Sequence, residues 1–400
     1  MVYSCLMTLS YHSIQSPFAR LRALLDGLEP GAAVIDMTIG EPRHGAPPML
    51  AQRLAEAAAG YEKYPPSAGI TALRGAIAAW ISRRYPDIAG VIDAERHILP
   101  LSGSREGLFS AVFIAKQRKG MARPSVLMPN PFYQAYLAAA LAADAEPVFL
   151  PSTAKTGWLP DLDAIPAETL PRTAAFYLAS PANPQGSIAS RDYLARAIGL
   201  AREHGFMLFL DECYSEIYTA SPPQGGLETA HSLGGFGNVC VFNSLSKRSN
   251  VPGLRSGFIS GDPDFLAAFA QFRNVACPQV PLPVQHASAT LWADETHVDT
   301  SRALYAQKIH AASRILGGWP NFAAPAGGFF LWLDMAHLGG GEVAAKTIWK
   351  GCGVKFLPGA YLAQTDDRGD NPGERYARLA LVDSLAVTGD ALTRISQFMG

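Results

Sequence analysis

A lysine between two strand-like segments has the surroundings of a nucleophile. Lys247 follows the apolar run Val239–Phe242, which has the length and composition of a buried strand. A lysine held at the end of such a strand is poorly hydrated, so its pKa falls and its amine can form a Schiff base. Arg255, eight residues later, suits the phosphate of a cofactor. The alternative is that both residues are solvated loop charges.

A second segment has the features of a phosphate site. Gly103, Ser104 and Arg105 stand at the start of a predicted helix, after an apolar segment that ends at Leu101. The first N–H groups of a helix lack partners within it and lie at the positive end of its dipole, so they can bind phosphate. Capping by Ser102 or Ser104 is the alternative. Because capping does not require a glycine, we favour phosphate binding.

The two segments together resemble a known family. The chain reads Ser-Leu-Ser-Lys at 244–247 and Gly-Leu-Arg-Ser-Gly at 253–257. These motifs resemble the cofactor-lysine segment of the class I/II aminotransferases, which are fold type I enzymes that use pyridoxal 5'-phosphate. The longer string from Ser244 to Phe258 is similar to one branch, the N-succinyldiaminopimelate aminotransferases of bacterial lysine biosynthesis. The resemblance extends from about Pro17 to the end of the chain.

The resemblance implies roles for residues at other predicted strand ends. Lys247, Asp211 and Tyr214 would be catalytic, with Asp211 paired to the cofactor's pyridine nitrogen and Tyr214 donating to its phenolic oxygen. Asn183 would contact the same oxygen and the substrate, and Tyr133 would stack on the ring. The remaining cofactor contacts implied are Gly103, Ser104, Arg105, Ser244, Ser246 and Arg255.

Other interpretations of these residues are open from the sequence. On its own, Asp211 could be a helix N-cap, and Asn183 a turn residue before a proline. Phe132 and Tyr136 are interpreted as packing residues. Tyr64 precedes a loop, and this position by itself gives little indication of a function. The resemblance implies that Tyr64 reaches across a homodimer to the neighbour's cofactor phosphate.

Arginines and one glycine are candidates for binding substrate. Arg378 matches the family arginine for the α-carboxylate and directly precedes the predicted strand Leu379–Val382. A guanidinium fork suits a carboxylate. Gly40 would offer backbone to the same carboxylate, and Arg43, in the turn after it, is our first candidate for a distal carboxylate. Further candidates for the distal group are Arg105, Arg273 and Arg375.

Strand-like and helix-like patterns alternate from about residue 95 to residue 260, which indicates an α/β fold with a mostly parallel sheet. The resemblance implies fold type I, with a large cofactor-binding domain (residues 45–290) and an α+β small domain (17–44 plus 291–400). We assign residues 1–16 to an N-terminal arm.

Composition excludes several classes of protein. The formal net charge of −1 gives no general attraction to nucleic acid or anionic membrane. The five cysteines are scattered without a Cys-x-x-Cys pair, so we expect no metal site and no disulfide framework. The start of the chain lacks the charged region of a signal peptide, and no apolar run is long enough to span a membrane. We therefore expect a soluble cytoplasmic protein.

The predicted reaction is transamination between glutamate and a 2-oxo-6-aminopimelate derivative bearing N-succinyl, an identity that rests on the resemblance alone. The sequence has no Gly-x-Gly-x-x-Gly after a strand and no Walker A motif, which argues against a dinucleotide enzyme or an NTPase. The alternatives are an aminotransferase for another amino acid, a pyridoxal-phosphate-dependent β-lyase, or a non-enzymatic relative that serves as a regulator.

Overall fold

The structure is a computed structural model that describes residues 15–399, so the predicted arm lies almost entirely outside the described residues. The first elements are α1 (Pro17–Leu25), β1 (Ile35–Asp36), α2 (Met49–Glu56), α3 (Thr71–Arg84), β2 (Ile98–Leu101), α4 (Ser104–Lys119), β3 (Ser125–Asn130), α5 (Gln134–Ala142) and β4 (Glu146–Pro151). The next are β5 (Thr173–Ala179), α6 (Arg191–His204), β6 (Met207–Asp211), α7 (Gly226–Ser232), β7 (Val239–Ser244), α8 (Leu245–Arg248), β8 (Gly257–Gly261), α9 (Pro263–Ala276) and α10 (Leu282–Ala293). The last are α11 (Thr296–Leu316), β9 (Phe330–Asp334), α12 (Gly341–Cys352), β10 (Val354–Lys355), β11 (Leu357–Pro358), β12 (Tyr376–Ala380) and α13 (Leu385–Ser396).

The large domain contains the predicted, mostly parallel sheet. Its seven strands lie in the order β2-β8-β7-β6-β5-β3-β4, and β8 runs antiparallel to both of its neighbours. Alternate residues of the central strands pack in two separate cores, with Phe176 and Leu208 on one face and Tyr177 and Phe209 on the other. Both faces are covered by helices, which explains why these strands are continuously apolar.

The order of the strands places the predicted site. In a parallel sheet the carboxyl ends of the strands meet at one edge, where ligands bind. Asp211 ends β6, Ser244 ends β7 immediately before α8, and Gly103 follows β2. Residues far apart in the sequence therefore reach the same edge of the sheet.

The small domain is built on a three-stranded antiparallel sheet in the order β11-β12-β9, beside the parallel pair β1 and β10. Its core includes Met37, Ile309 and Leu331. Arg378 lies inside β12, opposite Trp332 of β9 and Leu357 of β11. The strand predicted at Leu379–Val382 therefore begins and ends too late in the sequence, since β12 spans Tyr376–Ala380. The error arises because the apolar residues after β12 stay buried although they no longer pair with β9.

The domain boundary predicted at residue 291 falls inside α10. Trp292 lies 4.8 Å from Trp80 and 5.1 Å from Phe258, between ring centroids, in the core of the large domain. Since α10 ends at Ala293, we propose that the boundary lies in the short connection between α10 and α11. The rest of the domain division stays a prediction. Among the described residues, no helix combines the length and the apolarity that crossing a membrane requires.

Candidate active site

A cavity of about 510 Å³ opens at the carboxyl edge of the large sheet, with walls from both domains. It brings together most of the predicted site residues. Those that line it are Gly40, Ser104, Arg105, Tyr133, Asn183, Asp211, Tyr214, Ser244, Ser246, Lys247, Arg255 and Arg378.

Lys247 lies in the short helix α8. Ser244 caps this helix, since its Oγ accepts a hydrogen bond from the Ser246 amide at 3.1 Å. The Lys247 Nζ donates to the carbonyl of Gly40 and lies 5.4 Å from the centroid of the Phe329 ring. Burial lowers the pKa of Lys247 from its ordinary 10.5 to about 8. The amine is therefore far more available as a base or nucleophile near neutral pH than a solvated lysine.

The start of α4 has the open backbone that a phosphate needs. Gly103 is the N-cap residue, and neither Ser102 nor Ser104 caps the helix with its side chain. Gly103 has φ +85°, and a Cβ there would collide with the guanidinium of Arg255. Arg255 Nη1 donates to the Pro252 carbonyl at 2.9 Å. The glycine is thus required by both the backbone and the arginine, as a phosphate site predicts and simple capping does not.

Asp211 lies partly buried at the end of β6. Its Oδ2 accepts from the Tyr136 hydroxyl at 2.8 Å, and its Oδ1 accepts from the Cys213 amide at 3.2 Å. Burial raises the pKa of Asp211, and these hydrogen bonds act in the opposite direction. The interpretation of Tyr136 as a packing residue was incomplete. It does stack on Tyr177, with ring centroids 4.6 Å apart, but its hydroxyl also holds the carboxylate.

Arg105 and Tyr133 form a pair at the cavity wall. Arg105 Nε donates to the Tyr133 hydroxyl, and the guanidinium carbon lies 5.7 Å from the ring centroid. Burial raises the pKa of Tyr133, while the Arg105 charge acts to lower it. Arg105 is thus oriented by an aromatic residue of the wall, which leaves its role as a phosphate contact a prediction.

Arg378 is buried where the two domains meet. Its Nη2 donates to the Thr38 carbonyl at 2.8 Å, and its Nη1 donates to Asn183 Oδ1 at 3.1 Å. Its Nε is buried without a partner among the described residues, and its guanidinium carbon lies 4.3 Å from the Phe330 ring centroid. Burial lowers the pKa of Arg378 to about 10. Because Asn183 accepts from Arg378 with its oxygen, its amide N–H groups are left to donate elsewhere.

Tyr214 packs edge-on against Phe329, with ring centroids 5.3 Å apart, and burial raises the pKa of its hydroxyl well above the ordinary value. Gly40 has no room for a side chain, since a Cβ there would collide with Phe330. Phe330 of the small domain therefore shapes the cavity beside Gly40, a contact that the sequence did not predict.

Several candidates do not reach the cavity wall. Arg43 is ion-paired with Asp383, and Arg375 with Asp334. Tyr64 is fully exposed in this single chain. Cys213, which was not predicted, lines the cavity and donates its thiol to Ser104 Oγ at 3.0 Å. Cys213 lies two residues after Asp211 at the same strand end, and this position could have indicated that it reaches the cavity.

Comparison with known proteins identifies the family. Residues 32–368 match the family model of aminotransferase class I and II. The LL-diaminopimelate aminotransferase of Desulforudis audaxviator is 30% identical over 393 residues, which cover 96% of this chain and 95% of the relative. The crystal structure of an aminotransferase from Neisseria meningitidis is 37% identical with a TM-score of 0.92, covering 97% of this chain and 99% of that one.

A structure from Thermus thermophilus, titled a "probable N-succinyldiaminopimelate aminotransferase", is similar in fold. It is 24% identical, with a TM-score of 0.83, over 96% of this chain and all of that one (100%). The chain belongs to the aminotransferase class I and II family, and the predicted fold type I architecture is confirmed. Members of this family use pyridoxal 5'-phosphate, and the chain is a pyridoxal-phosphate-dependent aminotransferase.

The residues of the cavity fit this cofactor. The open start of α4, with Gly103 and Arg255, would hold the phosphate, and Asp211 would pair with the ring nitrogen. Lys247 would bind the aldehyde carbon through its amine. The fit rests on Gly103, whose positive φ and missing side chain leave Arg255 and the helix N–H groups together at one place. The individual roles stay predictions.

Capture of pyridoxal 5'-phosphate by the apoprotein should accelerate as pH rises, with a midpoint near pH 8. The free amine is the nucleophile, and burial makes it the major form of Lys247 above that pH. Stopped-flow absorbance on mixing apoprotein with cofactor measures the rate. The Lys308 amine, whose pKa is also lowered to about 8, provides the control. Lys308→Met should keep the midpoint and Lys247→Met should abolish capture; a midpoint near 10.5 would contradict the assignment.

Proposed function

We propose that this aminotransferase acts in the diaminopimelate route to lysine. It transfers the amino group of glutamate to N-succinyl-2-amino-6-oxopimelate, giving 2-oxoglutarate and N-succinyl-LL-2,6-diaminopimelate. The observation that carries the proposal is the presence of two cavity arginines beyond Arg255, since Arg378 and Arg105 can serve carboxylates at two ends of a substrate. The name of the Desulforudis audaxviator relative and the similarity of the segment 244–258 support the same pathway.

We assign each residue of the site a separate role in the reaction. The cofactor, when bound, supplies an electron sink conjugated to the substrate's amino group. Arg378 binds the α-carboxylate with its buried guanidinium and fixes Asn183, whose amide then donates toward the cofactor's phenolic oxygen. With the cofactor bound, the free amine of Lys247 would act as the base that takes the proton from the substrate's Cα and as the acid that returns it. The Gly40 carbonyl orients that amine.

A second candidate substrate is LL-diaminopimelate without an acyl group. The observation that favours it is the name of the Desulforudis audaxviator relative, an LL-diaminopimelate aminotransferase that is 30% identical over nearly the whole chain. Both candidates share the α-carboxylate contact at Arg378 and differ at the distal end. The residues that contact the distal group of the substrate therefore determine which of the two substrates is preferred.

A substrate panel tests the proposal directly. The holoenzyme is mixed in single turnovers with glutamate, N-succinyl-LL-diaminopimelate, LL-diaminopimelate, alanine and a β-lyase substrate, and the change in cofactor absorbance is followed. The succinylated compound and glutamate should convert the cofactor fastest, and Lys247→Ala should convert with none. Faster conversion with unacylated diaminopimelate would assign the second candidate. Release of pyruvate and ammonia without an acceptor would assign a lyase instead.

The distal carboxylate should depend on Arg105 more than on Arg43. Arg105 lines the cavity, whereas the charge of Arg43 is already engaged by Asp383. Arg105→Met should lower kcat/KM for the preferred diaminopimelate by about ten- to a hundredfold, the cost of one charge-assisted contact. Its effect on alanine, which has no distal group, should be small.

Arg43→Ala is the matched variant. A selective loss of kcat/KM for diaminopimelate in Arg43→Ala, with Arg105→Met unaffected, would show that Arg43 binds the distal carboxylate. Arg43 was the first candidate from the sequence. An equal loss for both substrates in Arg105→Met would assign that arginine to the cofactor phosphate.

We also propose a homodimer with shared sites. Tyr64 is fully exposed in the single chain and stands where the family donates a phosphate contact across the two-fold axis. Tyr64→Phe and Lys247→Ala subunits, each nearly inactive alone, are mixed and exchanged. Heterodimers then contain one site free of both lesions, so activity should return to about a quarter of wild type. No recovery after subunit exchange verified by mass would place Tyr64 in its own chain's site or in none.

A further inference from the structure

A buried ion pair stands behind the start of α4. Arg273 of α9 is fully buried, at 0% exposed, and its Nη1 donates to Glu106 Oε1. Glu106 is the third residue of α4, and the same oxygen accepts from Ser110 Oγ at 3.1 Å. Arg273 does not line the cavity, so it is not the contact to a distal carboxylate for which it was a candidate.

Stability alone does not explain this pair. Arg273 Nε and Nη2 are buried without a partner among the described residues, and so is Glu106 Oε2. Burying charges with hydrogen bonds unmade is costly, and a well-packed apolar pair is often as stable or more stable. The pair is therefore weak evidence for stability.

The ion pair lies at the N-terminal end of α4, where the phosphate is expected to bind. A carboxylate in the first turn of a helix favours the helix dipole, but it repels an anion bound at the same terminus. Glu106 lies two residues after Ser104, which lines the cavity. Without compensation, its charge would oppose a phosphate dianion bound there.

We propose that Arg273 sets the phosphate affinity of this enzyme by neutralising Glu106 from behind the helix. Arg273 touches neither substrate nor cofactor and acts through Glu106. The inference rests on the assignment of the start of α4 as the phosphate site. It does not depend on which amino acceptor the enzyme uses.

The test compares two ligands that differ only in the phosphate. Equilibrium titrations give Kd for pyridoxal 5'-phosphate and for pyridoxal with the full-length apoprotein. R273M should weaken binding of the phosphorylated ligand by about tenfold, because an uncompensated Glu106 carboxylate at the same helix terminus repels the dianion, and should leave pyridoxal unchanged. The double variant E106Q/R273M removes both charges and should restore the wild-type affinity within about twofold.

Two results would overturn the proposal. Equal weakening of both ligands in R273M would show a structural role, and a double variant as weak as R273M would show that Glu106 is not the group through which Arg273 acts. Arg255→Met serves as the control for the site itself. If that variant does not discriminate between the two ligands, the phosphate assignment fails rather than the role of Arg273.

A further variant keeps the test informative if R273M does not fold. E106Q alone leaves the Arg273 charge uncompensated beside the phosphate site. It should bind pyridoxal 5'-phosphate severalfold more tightly than wild type, with pyridoxal unchanged. Unchanged affinity for the phosphorylated ligand in E106Q would overturn the proposal as well.

Discussion

The burial of the Arg378 charge between the two domains is the constraint on which the site depends. Its guanidinium is held by the Thr38 carbonyl and the Asn183 amide oxygen, which are neutral, and one N–H has no partner among the described residues. Lys247 is held in the same way, by a carbonyl. Asp211 is the one acidic residue among the described residues that line the cavity. Burying cations costs several kcal/mol each, so the folded chain is arranged to gain from bound carboxylate and phosphate.

This arrangement requires that the two domains meet in one fixed way. Glu216 is buried and accepts from Arg84 of α3 at 2.8 Å and from Arg302 of α11 at 3.0 Å, so a single carboxylate joins helices of both domains. Lys308, also on α11, donates to the Leu381 carbonyl just beyond β12 at 3.1 Å. Since β12 carries Arg378, these contacts set the depth at which the guanidinium enters the cavity.

The sequence predicted best the residues that a local pattern places at a strand end. Lys247, Asp211 and Gly103 each follow an apolar run, and the parallel sheet brings such ends together. Contacts between elements were not predictable in this way. Tyr136 is one helical turn beyond Tyr133. It donates a hydrogen bond to Asp211 only because the end of β6 comes within reach of its hydroxyl, which the local pattern around Tyr136 does not show. The strand β4 was not predicted. It contains two prolines, which argue against a strand, although an edge position tolerates them.

Strand geometry also explains how two adjacent acids acquire different roles. Successive side chains of a strand point to opposite faces, so Asp211 reaches the cavity while Glu212 turns away from it. Glu212 accepts from the Gly226 amide at 2.7 Å and from the Tyr85 hydroxyl at 3.3 Å, and burial raises its pKa to about 7. A raised pKa means that its contribution to stability falls as pH rises from about 4.5 to about 7 and is constant above. Near neutral pH, the uncharged form of Glu212 can persist behind the sheet, whereas the Asp211 carboxyl group faces the cavity and is held by the Tyr136 hydroxyl and the Cys213 amide.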